Sequence, residues 1–454
     1  MQKIDAQINL RYVYFLAAVA SIGGFVFGYD AAVIAGAIGF LQTKFELTAA
    51  MTGWAVSSAI VGCILGASIA GHLSDLYGRK KTLIVTAILF SISAIGSAIP
   101  IDMVQFSIAR LIGGLAVGAA SMLAPMYISE IAPASIRGRL VTLYQLAIVL
   151  GIMIIYFVNM VIAGLGNETW NIEMGWRMML ASESLPALLF LIMLLFIPES
   201  PRWMAMKNKD QNALQTLTKI YGIERAQGVL DEIKGSLNEE KGRLRELLEP
   251  GIRKPMVIGI FLAIFSQITG INAIMFYAPE IFKSIGFGTD SALFQTVIIG
   301  IFNTGFTLVA LWLVDKLGRK TLLIYGVGGM ALCLLGLGSA FQFNFSGPWV
   351  LIFILGYIAF FAISLGPIPW VILSEIFPTK MRGLAMSIST LTMWSAVYFV
   401  SQFFPILIEK IGSAFTFWIF MTNAIVLLFF TVRIIPETKG KTLEEIEKSW
   451  SIID

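Results

Sequence analysis

Residues 71–81 read GHLSDLYGRKK, and residues 311–321 read LWLVDKLGRKT. Each copy of the Asp-x-x-Gly-Arg-Lys element falls between two long apolar runs. Gly71 and Gly78 suit close approach and a tight turn, and Asp75 is placed to accept from basic residues of neighbouring loops. Two further patterns recur. YISEIAPASIRG (127–138) returns as ILSEIFPTKMRG (372–383), and IPESPR (197–202) returns loosely as IPETKG (435–440). All three pairs are separated by 238–245 residues, so the chain reads as two similar halves in parallel.

The composition says what those halves are made of. Of the 454 residues 57% are hydrophobic and only 13% charged, and mean hydropathy is +0.83. One soluble core could not bury that much apolar surface, so a polytopic membrane protein is expected. Twelve stretches are long enough to cross, near 12–40, 51–73, 82–99, 104–128, 140–163, 177–197, 256–282, 293–314, 321–342, 349–374, 384–408 and 413–434. The first is too long for a signal-peptide core and lacks a cleavage pattern, so it reads as a retained span. Residues 198–254 are charged and apolar only in stripes (LQTLTKIYGI, VLDEIKG, LRELLE), as surface amphipathic helices are. The expected organisation is a six-helix domain over 1–197, a linker with short helices over 198–254, a second six-helix domain over 255–436 and a tail over 437–454.

Charge sets the orientation. The links 74–81, 133–139, 198–254, 315–320 and 379–382, with both termini, hold 27 of the 32 lysines and arginines. By the positive-inside rule these links and both termini are cytoplasmic. Arg110 lies inside a span. The net charge of +4 gives no indication of nucleic acid binding. Cys63 and Cys333 fall in apolar runs and read as buried free thiols; with a single histidine they leave little for a metal site. No nucleophile–base pair is evident, so an enzyme is not expected.

Acids recur beside the cytoplasmic cations in both halves: Asp75, Arg79, Glu130, Arg137 and Glu199 in the first, Arg319, Glu375 and Arg382 in the second. Fixing topology needs the cations but not the acids. Paired charges are therefore expected to latch the halves together on that side and to part when it opens.

DLYGRK with DKLGRK, the two SE-x6-RG elements, PESPR, PETKG and TGINAIMFYAPEIF together resemble the sugar porter branch of the major facilitator superfamily. GGFVFGYD and GWRMMLASESLPALLFL are most similar to the bacterial D-xylose–proton symporters of that branch. The resemblance covers essentially the whole chain. It implies an all-α major facilitator fold, with twelve transmembrane helices in two pseudo-symmetric six-helix domains and cytoplasmic amphipathic helices. It also implies symport of a monosaccharide and a proton into the cell by alternating access, in a bacterial plasma membrane. The proton is the coupling ion, no cofactor is expected, and a monomer suffices. The expected substrate is a pentose such as D-xylose or a hexose such as glucose.

A sugar site needs amides, which donate and accept, and aromatic faces. The resemblance assigns sugar contacts to Gln145, Gln267, Asn272, Asn303, Trp370 and Trp394. Gln267 and Asn272 lie five apart and turn about 500° on an ideal helix, so they converge only if Gly270 lets the helix unwind. Pro367 and Pro369 interrupt the helix before Trp370. Ser266, Ile152, Met393 and Phe276 depart from the xylose symporters. Fewer donors and a more apolar wall leave the choice between pentose and hexose open.

The run GGFVFGYDAAVIAG (23–36) carries one carboxylate, Asp30. It lies roughly 15 Å from the outer end of its span, and Arg110 roughly 9 Å from the outer end of the fourth. A lone charge at such depth is costly, so the two are expected to pair. Either they form a static ion pair, or movement alters their separation and hydration and so moves a proton. The resemblance implies the second, with Asp30 as the coupling acid, Arg110 as its partner and Glu183 as a second carboxylate. A facilitative uniporter with the same sugar site is the nearest rival, and Asp30 argues against it. A transporter-like sugar sensor is expected to need a longer cytoplasmic tail than the roughly 20 residues after the last span.

Overall fold

The computed structural model describes residues 8–237 and 252–439 apart from 346 and 378–380, together with 246, 247, 249 and 445. Most of the tail and part of the LRELLE stripe lie outside the described residues. Within them the regular elements are helices. That is what a chain in hydrocarbon must do, because no water is there to satisfy a backbone N–H or C=O.

The first half contains α1 (Leu10–Phe45), α2 (Ala49–Tyr77), α3 (Arg79–Ala98), α4 (Met103–Ile131), α5 (Arg137–Ala163) and α6 (Glu168–Leu195). The second contains α7 (Arg253–Ser284), α8 (Thr289–Leu317), α9 (Arg319–Gln342), α10 (Trp349–Ile376), α11 (382–411) and α12 (413–433). The last two form one run of 52 residues, about 78 Å at 1.5 Å per residue and too long for a single crossing. Gly412 divides it, at φ 82 and ψ 164. With that break the spans agree with the expected twelve. The sixth begins earlier than its hydropathy suggests: Asn167 caps it, and a π-turn at Asn171–Gly175 carries the polar start NETWNIEMG into the helix.

Between the halves, Pro201–Met206, Asp210–Tyr221 and Ile223–Leu237 form the short helices expected there. They close a small core of their own around Trp203, Leu217 and Leu230.

The basic loops gather at one end of the bundle. The Ser-Glu, Gly-Arg-Lys and Pro-Glu repeats meet there and do the same work in each half. Arg79 pairs with Glu130 at 3.0 Å and with Asp75 at 2.8 Å, and Ser200 donates to Glu130. Arg319 pairs with Glu375 at 3.1 Å. Glu199 accepts from the N–H groups of Arg79 (2.9 Å) and Lys80 (3.0 Å), which start α3. Glu437 accepts from Arg319 (3.0 Å) and Lys320 (3.1 Å), which start α9. Each carboxylate thus caps a helix N-terminus, where orphan donors and the helix dipole favour an anion. Burial opposes ionisation of Glu437, but those donors, with the N–H groups of Lys439 and Thr321, hold its carboxyl below the usual range. Arg382 donates to the Phe377 carbonyl at 3.4 Å, and Arg137 is exposed on the first turn of α5. In this conformation Arg79–Glu130 and Arg319–Glu375 brace their own half, where a latch across the halves was expected.

Toward the far end the halves meet directly, α1 on α7, α2 on α11 and α5 on α8. Ser57 donates to Gln402 at 2.6 Å, Gln402 donates to the Ala50 carbonyl at 3.0 Å, and at mid-span Thr304 donates to the Val149 carbonyl at 3.3 Å.

Gly78 (φ 109, ψ 156) and Gly318 (φ 93, ψ 158) occupy a region open essentially to glycine alone. A Cβ there would also meet Glu199 Oε2 at 2.2 Å or Glu437 Oε2 at 2.6 Å. Gly78→Ala and Gly318→Ala should each cost about 1–3 kcal/mol and lower the thermal unfolding midpoint in detergent. Gly138→Ala, in the first turn of α5 with nothing within 4 Å, should not lower that midpoint.

Candidate functional site

Two polar centres are set into the apolar helices. The first is charged. Arg110 Nη1 on α4 donates to Asp30 Oδ1 on α1 at 2.6 Å, and Nη2 donates to the Asp30 carbonyl at 3.1 Å. Asp30 is 1% exposed and Arg110 2%. Glu183 on α6 is also 1% exposed, and its Oε1 has no hydrogen-bond partner. The Tyr29 hydroxyl meets the Ser182 hydroxyl at 2.8 Å and ties α1 to α6 beside this group. One cation therefore faces two carboxyl groups. A second buried carboxyl group, outside the Asp30–Arg110 ion pair, can hold a proton while Arg110 keeps an ionised partner.

The second centre is neutral. α7 breaks at Gly270, at φ 95 and ψ 12, between Arg253–Ile268 and Ile271–Ser284. The break brings the two amides together: Asn272 Nδ2 donates to Gln267 Oε1 at 2.8 Å, and Gln267 Nε2 donates to Ser266 Oγ at 3.2 Å. The break also leaves carbonyls without helical donors. The Ile268 carbonyl accepts from Asn423 of α12 at 2.9 Å, and that of Thr269 from Tyr357 of α10 at 3.1 Å.

Trp394 on α11 is 9% exposed, and its Nε1 has no partner. Its ring lies 5.9 Å from that of Phe27 on α1. Phe27 is three residues before Asp30, almost one turn, and so shares its face of the helix. Trp394 in one half thereby touches the helix that carries the acid in the other. Trp370 lies in the first turn of the second segment of α10, Ile368–Ile376, after the break over 364–367, and is 38% exposed. Asn303 is buried on α8, and Gln145 is half-buried on α5, one turn from Val149, which bonds to Thr304. Phe27, Tyr357 and Asn423 were not expected. Their only signal is aromatic or amide character at span positions, which does not distinguish them from core. Cys63 is buried as expected, whereas Cys333 is only partly buried; both are free thiols.

Two repeated six-helix halves around a polar centre, with acids buried in the spans, define a helical membrane transporter. The pattern of the family described as "Sugar (and other) transporter" matches residues 16–450, and this chain belongs to that family. The arabinose–proton symporter of Bacillus subtilis (strain 168) is 45% identical over 444 residues, covering 97% of this chain and 96% of that one. The D-xylose–proton symporter of Escherichia coli (strain K12) is 42% identical over 479 residues, covering 98% and 97%. The xylose transporter of E. coli, solved in an inward-open conformation, matches with a TM-score of 0.87 at 41% identity, covering 97% of this chain and 100% of that one. The family is one of multi-pass transporters and not of enzymes.

A Cβ at Gly270 would meet Phe420 Cδ2 at 2.3 Å, on a backbone that disfavours L-residues. Gly270→Ala should part Gln267 from Asn272 and abolish the thermal stabilisation given by bound sugar. Gly286→Ala has the same φ of 95 but nothing within 4 Å, and should retain that stabilisation.

Proposed function

We propose that this chain is a monosaccharide–proton symporter working by alternating access, with Asp30 as the coupling acid. The observation that carries the reading is the buried group Asp30, Arg110 and Glu183. A uniporter has no use for a second carboxyl beside a satisfied ion pair. With one of the two acids protonated the group is neutral and a carboxylate balances the guanidinium; gain or loss of a further proton charges the group, so proton exchange goes with a movement that hydrates it.

The sugar is bound by the Gln267–Asn272 pair with Gln145, Asn303, Trp370 and Trp394. The unpartnered Trp394 Nε1 donates to a sugar hydroxyl. Coupling runs through the Trp394–Phe27 contact: sugar bound against Trp394 moves α11 on α1, and the hydration of Asp30 one turn away changes with it. The basic end faces the cytoplasm, with both termini, in a bacterial plasma membrane. The conformation is inward-open, since the bonds between the halves lie toward the opposite, outer end. The charged clusters at the basic end, Arg137 and Arg382 included, rearrange as that end closes. The named activities of the relatives support a pentose, and Ser266 and Met393 leave room for a hexose.

Asp30→Asn keeps the shape but cannot exchange a proton. In vesicles with an imposed proton gradient it should lose uphill accumulation of arabinose, xylose and glucose alike, while retaining exchange of labelled for unlabelled sugar. Uphill accumulation by the variant would remove Asp30 from the coupling role.

A further inference from the structure

The α7 segment beyond its break, Ile271–Ser284, contains Pro279. Proline has no N–H, so the carbonyl four residues earlier, that of Met275, loses its helical donor. A carbonyl left bare in hydrocarbon is costly. The donor it receives comes from the other half of the protein: the Tyr156 hydroxyl of α5 donates to the Met275 carbonyl at 2.7 Å, with the Met275 sulfur at 3.9 Å. Tyr156 is 1% exposed, and its ring lies against Gly300 of α8. Met275 follows Asn272 by three residues, so this bond sits almost one turn outward of the proposed sugar contact, on the same helix face.

We propose that Tyr156 is an outer-gate residue, which holds the outer segment of α7 closed over the sugar site by occupying the carbonyl that Pro279 leaves free. The bond joins the two halves, so it cannot survive their separation at the outer end. When that end opens, the Met275 carbonyl is released to water or to an entering sugar hydroxyl. Asn272 and Met275 are carried on one short rigid segment hinged at Gly270. A sugar held by Asn272 therefore draws the same segment toward Tyr156, and closure follows occupancy. The inference uses the proposed orientation and sugar site only to say what the gate covers. The gate itself is a contact between the halves.

The test reads distance, not transport. Spin labels at Thr43→Cys (end of α1) and Asp290→Cys (start of α8), with Cys63 and Cys333 replaced by alanine, report separation of the halves at this end; both positions are exposed. Tyr156→Phe removes the hydroxyl and keeps the ring. Without sugar it should move the distance distribution toward the longer separation, changing the open-to-closed ratio about three- to tenfold, as loss of one hydrogen bond to a buried acceptor requires. Hydrogen exchange over 271–284 should rise in the same variant. Pro279→Ala restores an N–H that can serve Met275 within the helix, so Tyr156→Phe should have much less effect in that background. An unchanged distribution with Tyr156→Phe would overturn the proposal, as would an equal shift with and without Pro279. Either result would leave the sugar and proton readings standing, because neither sugar nor a gradient enters the measurement.

Discussion

A charge cannot be left alone in hydrocarbon, and the first half of this protein is arranged around that constraint. Asp30 and Arg110 stand on helices separated by two others in sequence. Each must find the other, so α1 and α4 pack together at that level, and Arg110 reaches both the carboxylate and the carbonyl of Asp30. The Tyr29–Ser182 contact brings α6, with the buried Glu183, to the same place. Three helices are thus registered by one buried cluster. The face of α1 that carries Asp30 also carries Phe27, which meets Trp394 in the other half. The buried ion pair and the aromatic contact between the halves are therefore two parts of a single helix surface.

The second half is governed by broken helices. The break at Gly270 and the missing N–H of Pro279 would each expose carbonyls to a medium that cannot hydrogen-bond. The breaks are tolerated because named side chains take those carbonyls: Asn423 and Tyr357 at the Gly270 break, and Tyr156 at Pro279. The first two partners lie in the same half as α7 and keep their bonds through any rigid movement of the halves. Tyr156 lies in the opposite half. That difference separates bonds that fix the shape of α7 within its own half from one that crosses between the halves.

Much of this was legible in the sequence. Hydropathy gave the spans, and the triple repeat at a common offset gave the halves. Asp30 and Arg110 were recognisable as partners because neither tolerates solitude at its depth. Gly270 was recognisable as a hinge because Gln267 and Asn272 cannot converge on an ideal helix. Other features depend on positions that no local pattern encodes. The cations and acids at the basic end were visible, but composition supplies their signs and not their partners, and Arg79 and Arg319 turned out to pair within a half. The polar start of α6 hid a π-turn that keeps the helix continuous. Tyr156, Tyr357 and Asn423 acquire their meaning only from the carbonyls that fold against them. The loose IPES–IPET repeat looked the weakest of the three, yet Glu199 and Glu437 cap α3 and α9 in the same way.

The coupling of sugar to proton is the centre of the mechanism, and it has a direct readout. Purified protein in sealed vesicles without any imposed gradient is given arabinose, xylose or glucose from outside, and the external pH is followed. Inward sugar flux should alkalinise the medium, and a protonophore should abolish the pH change while sugar entry continues. Sugar entry with no pH change would contradict proton coupling and leave a facilitative carrier with a buried, static Asp30–Arg110 pair.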